Sequence, residues 1–495
     1  MVNKIDSNFT GLRYTPEVVG QPGVLPTILT PNWLELEPNS YSDTGATNTL
    51  TPRTPINASR QRRKGRITDR ESQIGFELDF TGDNLVPFME GYFFSTWERG
   101  ASKQVLDLGA IVAATGTYPK TAAFTGFLVR HIVQAKGFAV PANNGIKSVT
   151  AATANSIAVV GLADEANPPD DAQVKIVGYE FAAGIATINV ANPLLPVLGT
   201  GAFDATTLGL IPGQWIWIGG DLATDTFAGV GNRGAARVRS VTAAAITFDK
   251  TQNVMATDLG TGISLKVYFG DVCRNQENPA NIITRSYQFE RSLASAGYEY
   301  LKGSFPNELT LNMPTADKIT LDMSFISLDA EPVTARKAGN FPAIKTKDEA
   351  FNTSSDLRLR VSEQGNAAPL FAYLSELNCT VNNNIEVLKA LGVLGGFDVS
   401  IGDFEVSGDA TAYFNDLAAV QAVNRSANLT LDFTLAFDNQ GWVFDIPLFA
   451  AEDGQLQVEK DSAINISLGV QAARDPTYGI TFLACYFPYL PNAAN

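Results

Sequence analysis

SYQFERSLASAGYEYLKGSFPNELTLNMPTADKITLDMSF, at 286–325, and LNCTVNNNIEVLKALGVLGGFDVSIGDFEVSGDATAYF, at 377–414, read as one structural unit written twice. Each runs through an alternating strand, a broken middle and a glycine (Gly303 or Gly392), then two more alternating strands that end on an aromatic, Phe325 or Phe414. Alternation with period two is the mark of a strand with one buried face. A looser echo joins FELDFTGDNLVPFMEGYFF (76–94) to DFTLAFDNQGWVFDIPLF (432–449). Internal similarity changes what one chain is worth in an assembly. A duplicated, strand-rich unit without catalytic groups points to a symmetric structural polymer.

The bulk numbers agree. A chain of 495 residues, 45% hydrophobic and 18% charged, folds and buries several cores. Its 42 glycines and 25 prolines, with many Thr, Val, Ile and Phe, favour strands and turns over helices. The net charge of −15 gives a self-repelling surface that binds nucleic-acid backbones poorly. Cys273, Cys379 and Cys485 are too few and too widely spaced for a disulfide framework or a zinc knuckle. The first residues lack a signal-peptide apolar core, and no run of 18 apolar residues occurs, so synthesis and assembly in a cytoplasm are expected.

Five segments follow from changes in texture. Residues 1–58, with Pro16, Pro22, Pro26, Pro31, Pro38, Pro52 and Pro55, read as an extended arm. Residues 59–104 read as the first part of a tube-like module, with a strand at 71–81 and a short helix in 82–97. Residues 105–275, rich in Ala, Gly, Thr and Val with short strands at 8–12-residue intervals, read as an inserted all-β decoration domain. The first module resumes over 276–351, including a polar linker from 330, and 352–495 form the second, with LAAVQAVNR (417–425) as its helix.

Groups that could do chemistry are sparse. His131 is the single histidine and reads as a strand residue, which excludes multi-histidine metal sites. GVGNRG (229–234) matches a dinucleotide fingerprint as a string, but the segment after it alternates like a strand instead of opening a helix, so it reads as a glycine-rich turn. Asp164, Glu165, Asp170 and Asp171 read as a solvated loop, with calcium as the alternative. Asp403, Glu405 and Asp409 lie in the repeated unit, either as an ordinary wet face or as an acidic wall lining a channel. Arg60, Arg62, Arg63, Lys64 and Arg66 form the one dense basic run, read as a loop that meets an acidic neighbouring subunit, with phosphate binding as the alternative. Trp215 and Trp217 read as core residues, with sugar stacking the alternative that would suit a trimeric tail fibre or adhesin. No cofactor and no catalytic residue is expected.

The succession FELDFTGDNLVPFMEGYFF, SYQFERSL…YEYLKGSFPNELTLNMPTADKITLDMSFISLDAEPVTAR and ELNCTVNNNIEVLKALG…GDFEVSGDATAYFNDLAAVQAV resembles the major tail tube proteins of long-tailed bacteriophages, especially those with two fused tube modules. The resemblance covers about 70–100 and 280–490, and includes the Asn382-Asn383-Asn384 and Gly408-Asp409 positions, read as turns. It implies a mainly β fold: duplicated sheet modules, each with a short flanking helix, closing into a barrel without open edges. Stacked rings of such modules make a hollow virion tube through which viral DNA leaves, passing without specific binding. The implied partners are further copies of the chain, a trimer being favoured over a hexamer, and other tail proteins at the tube ends, with no membrane insertion.

Overall fold

Ile74, Phe76, Leu78 and Phe80 are buried while Glu77 and Asp79 reach solvent, so the alternation read from the sequence becomes the strand Arg66–Asp79 with one dry face. The same rule builds a mainly antiparallel β-structure with, among the described residues, two short α-helices, Val86–Tyr92 and Ala418–Asn424. The computed structural model describes residues 10–27, 30–56, 60–61, 63–342, 349–366, 368–371, 373–415, 417–458 and 460–492.

One large sheet holds two sets of elements that pair in the same pattern. The first set is Thr10–Pro16, Ser40–Thr51, Arg66–Asp79, the helix Val86–Tyr92, Tyr287–Leu293, Tyr298–Met313 and Thr320–Val333. The second is Asp356–Glu363, Leu374–Asn382, Glu405–Tyr413, the helix Ala418–Asn424, Leu429–Phe437, Gln440–Gln457 and Asn465–Ala472. In each set the first element pairs with the fifth, the second with the third, the third with the seventh, the fifth with the sixth and the sixth with the seventh. The sets meet where 308–313 pairs with 377–382.

This pattern corrects the register of the quoted repeat. The stretch 286–325 supplies three strands of the sheet, but 377–414 supplies two, separated by a small hairpin (Glu386–Leu388 and Asp398–Ser400). By pairing, Tyr298–Met313 answers to Gln440–Gln457, and Leu374–Asn382 answers to Ser40–Thr51. Alternation, a glycine and a terminal aromatic occur in any β-meander, so they identify strands without saying which strands correspond. Gly408 and Asp409 form no turn either; they lie mid-strand, where a Cβ on Gly408 would come 2.1 Å from the Asn378 carbonyl oxygen.

The proline-rich segment is also more ordered than an arm. Thr10–Pro16 pairs with Tyr287–Leu293, Leu34–Leu36 with Thr10–Pro16, and Ser40–Thr51 with Arg66–Asp79. Pro22, Pro26, Pro31, Pro38, Pro52 and Pro55 fall in the connections, where no ladder needs their missing N–H. Glu17 anchors this segment: its buried carboxylate accepts from Gly23 N (2.7 Å), Ser286 Oγ (2.6 Å) and Gly303 N (2.9 Å), and burial raises its pKa. Gly303 has φ +58 and would push a Cβ into Leu328, which is why glycine stands there.

A second sheet of ten strands runs from Gln104–Leu106 to Lys266–Phe269 around its own apolar core. The following strand, Asp271–Arg274, pairs with Leu483–Phe487 and belongs to the large sheet. The two sheets share a further core in which Trp215, Trp217 and Tyr268 pack with Val443, Leu483 and Phe487. Buried ion pairs reinforce that joint: Arg237 with Asp445 (2.9 Å), Lys250 with Asp432 (2.7 Å) and Lys175 with Asp271 (2.6 Å), while Arg358 holds Asp432 from within the large sheet.

Candidate functional site

Cross-strand pairing lays eight strands side by side: Ser40–Thr51, Arg66–Asp79, Thr320–Val333, Tyr298–Met313, Leu374–Asn382, Glu405–Tyr413, Asn465–Ala472 and Gln440–Gln457. One side of this run is the large apolar core, where Phe76, Met323, Leu309, Val381, Ala410 and Leu468 point inward. The helix Val86–Tyr92 closes over that core with Phe88, Met89 and Tyr92. Asn383 ties the helix to the meeting of the two sets, donating to the Tyr92 carbonyl (3.1 Å) and the Pro306 carbonyl (3.0 Å).

The opposite side is mainly polar and acidic, with Ile326 and Ala450 as apolar members. Register places Asp79, Thr320, Asn312, Asn378, Asp409, Gly469 and Glu452 in one lateral row, and Ser42, Gly75, Ser324, Glu308, Asn382 and Glu405 in another. Glu77, Asp322 and Glu376 stand on the same face between and beside them. None of these positions is a lysine or arginine. Lys318, in the turn after Met313, reaches Asp79 at 2.7 Å, and its hydrogen bond lies among the causes that raise the lysine pKa. Hydrogen bonds knit the middle: Thr310 with Thr380 (2.9 Å), Asn312 to the Asp322 carboxylate (2.7 Å) and Asn382 to the Glu308 carboxylate (3.1 Å).

Asp403, Glu405 and Asp409 are all exposed; Glu405 and Asp409 belong to this face, and Asp403 lies just before the strand, its carbonyl accepting from Asn384 Nδ2 (3.0 Å). Arg60, Arg63 and Lys64 are exposed in the connection between Ser40–Thr51 and Arg66–Asp79, and Arg66 opens the second of those strands; Arg62 lies outside the described residues. The corresponding connection in the second set, 383–404, is apolar instead. There Leu391 is fully exposed, with Val393, Leu394 and Phe397 about half exposed, on a hairpin held down by Lys389 to Glu71 (3.0 Å) and by Val387 and Val399 against Leu328. That feature goes unread in the sequence because LKALG serves there only as the broken middle before Gly392, although its glycine-broken apolar run without alternation marks an exposed loop.

The other candidates have structural roles. His131 is buried in His131–Lys136; its Nδ1 accepts from Leu128 N (2.9 Å), and burial pushes its pKa down to about 4. Glu165 corrects the reading of a wholly solvated acidic loop: it is buried and accepts from Ala139 N (2.9 Å) and Asn143 Nδ2 (2.7 Å). Buried Asn143 satisfies its amide at this carboxylate, a pairing that sequence spacing does not announce. GVGNRG is a short turn, Val230–Asn232, followed by the strand Gly234–Thr242. Trp215 and Trp217 are buried, and Trp215 Nε1 donates to Asp445 (2.8 Å), so neither ring offers a sugar platform. Among the described residues no cluster of three or more His, Cys, Asp or Glu is placed to hold a metal, and no helix is long and apolar enough to cross a membrane.

A family model described as phage tail tube protein matches residues 8–472. No curated protein matches the sequence.

Proposed function

Because this chain belongs to the phage tail tube protein family and is a structural component of the virion tail, we propose that its acidic sheet face lines the tube through which viral DNA is ejected. The observation that carries this reading is the continuous eight-stranded run, apolar on one side and free of lysine and arginine on the other. A wall of spaced carboxylates repels phosphate weakly at each contact: two unit charges ~4 Å apart interact by about 1 kcal/mol in water. Screening over about 10 Å at 0.1 M salt smooths these steps further, so DNA meets no deep minimum in which to stall.

In this reading the two sets of elements are two fused tube modules, and residues 104–269 are a decoration domain inserted in the first. The matched pairings support the duplication. Three chains then supply six modules to a ring, and rings stack with other tail proteins at the ends. The basic connection around Arg60, Arg63, Lys64 and Arg66 and the apolar hairpin at 386–400 leave corresponding corners of the two modules, so they alternate around the rim and contact the next ring. Arg63→Glu with Lys64→Glu should shorten tubes in a salt-dependent way, and unchanged tube length would remove this role.

The lining itself is tested with Asp322→Lys, Glu405→Lys and Asp409→Lys combined, in a virion or a tube reconstituted with DNA. Tubes should assemble as in the parent, and DNA release should slow severalfold, most at low salt. Normal assembly with an unchanged release rate at low salt would place the acidic face elsewhere than the lumen.

A further inference from the structure

A cleft of about 430 Å³ opens at the joint between the inserted sheet and the second set of strands, within the ~300–1,000 Å³ usual for small-molecule sites. Strands outside the eight-stranded run build it: Gly234–Thr242 and Ala245–Thr251 from the inserted sheet, Asp356–Glu363 and Leu429–Phe437 from the large one. Among the described residues five cations line it, Arg237, Arg239, Lys250, Arg358 and Arg360. We propose that this cleft binds a small phosphomonoester carrying an apolar group, with Arg239 of the inserted sheet and Arg360 of the large sheet holding the phosphate. Such a ligand is additional to the chain's part in the tail tube.

The buried charges at the floor are matched within the protein. Arg237 pairs with Asp249 and Asp445 (both 2.9 Å), and Lys250 and Arg358 share Asp432. The other carboxylates of the lining are engaged as well. Glu363 pairs with Arg425, and buried Asp475 accepts from Thr477 N (2.8 Å), Tyr478 N (2.9 Å) and Gln364 Nε2 (2.6 Å). Arg239 is exposed and reaches over the Tyr478 ring, 5.7 Å from its centre, while half-buried Arg360 donates to the Gln252 carbonyl (3.3 Å). Burial first, and the neighbouring Arg358 charge second, lower the Arg360 pKa, with Asp432 offsetting part. A guanidinium in such surroundings gains from an incoming anion.

Arginine forks match the oxygens of a phosphate, and a dianion rewards more than one of them. Arg358 donates to the Thr251 carbonyl (2.6 Å) beside the Arg360 bond to Gln252, so the large sheet grips the inserted strand and both guanidiniums are positioned before a ligand arrives. The wall is apolar where 193–196 and 254–255 pass: Leu194, Leu195 and Val254 are 43%, 38% and 82% exposed. Bare apolar side chains beside a cationic floor suit a ligand with one charged end and one apolar end better than a free ion.

The test titrates phenyl phosphate into the full chain by isothermal titration calorimetry. Binding should saturate at one site per chain, and the melting temperature should rise with probe concentration, because the ligand binds the folded joint alone. Arg239→Gln with Arg360→Gln should weaken binding about tenfold or more, the loss expected when charge-assisted hydrogen bonds go. Arg239→Gln by itself, at an exposed position that leaves the buried pairs intact, should weaken it severalfold. Arg63→Gln with Lys64→Gln, in the basic connection, should bind as the parent does; an equal loss there would reduce the effect to general electrostatics and overturn the site. Inorganic phosphate should bind more weakly than phenyl phosphate, and benzoate binding as tightly as phenyl phosphate would overturn the choice of phosphate. No saturable binding by about 10 mM phenyl phosphate, where even a weak site of about 1 mM is mostly filled, or full binding by the double arginine variant, would overturn the proposal.

Discussion

Replacing Asp432 by alanine should loosen the joint between the inserted sheet and the second set of strands. Asp432 is fully buried on Leu429–Phe437 and is contacted by two cations from different elements: Lys250 Nζ at 2.7 Å from the inserted sheet, and the Arg358 guanidinium from Asp356–Glu363. Burial alone would raise this carboxyl, but Arg358 and Lys250 hold it well below the usual carboxylate range. Asp432→Ala leaves two buried cations facing each other without a counter-charge. Truncating one partner of a buried ion pair costs about 3–5 kcal/mol, against under about 1 kcal/mol for an exposed pair. Urea unfolding followed by tryptophan fluorescence reads the joint, because Trp215 packs within it. The loss should fall in the 3–5 kcal/mol range and shrink when Lys250→Met and Arg358→Met are added. With a folded pKa below the unfolded 3.8, the stabilisation is complete above about pH 4 and fades as pH falls through the folded value. A loss under about 1 kcal/mol, with no recovery in the triple variant, would refute the claim that these charges hold the joint.

Two further outcomes follow from the same packing. Deleting 106–269 behind a short linker should give a protein that aggregates, because Val443, Leu483 and Phe487 lose their cover; a soluble deletion protein that builds normal tubes would show that the joint is dispensable. His131→Asn should flatten acid destabilisation of the inserted sheet: a histidine titrating at 6.5 when unfolded and about 4 when folded withdraws about 3 kcal/mol as pH falls between those values. Equal pH slopes for parent and variant in hydrogen exchange would count against that assignment.

Much of the fold was legible because alternation is a local property. Ile74, Phe76, Leu78 and Phe80 announced a strand, and both helices lie within the stretches that the sequence suggested. Pairing partners are not local, so the correspondence between 286–325 and 377–414 was misassigned, and Gly408 looked like a turn when its lack of a side chain serves a close strand approach. Proline counts likewise described the connections of 1–58 and hid the strands between them. Glu405 and Asp409 were visible as acidic residues, but the row that joins Asp409 to Asp79 and Glu452 exists only once six ladders are known.

The most direct test of the central claim is a cryo-electron microscopy map of the assembled tube. It should show three chains in each ring, an inner wall of near-sixfold symmetry carrying Glu405 and Asp409, and three outer protrusions formed by 104–269. Six chains with six protrusions in every ring would contradict the account, because each chain would then fill one position instead of two.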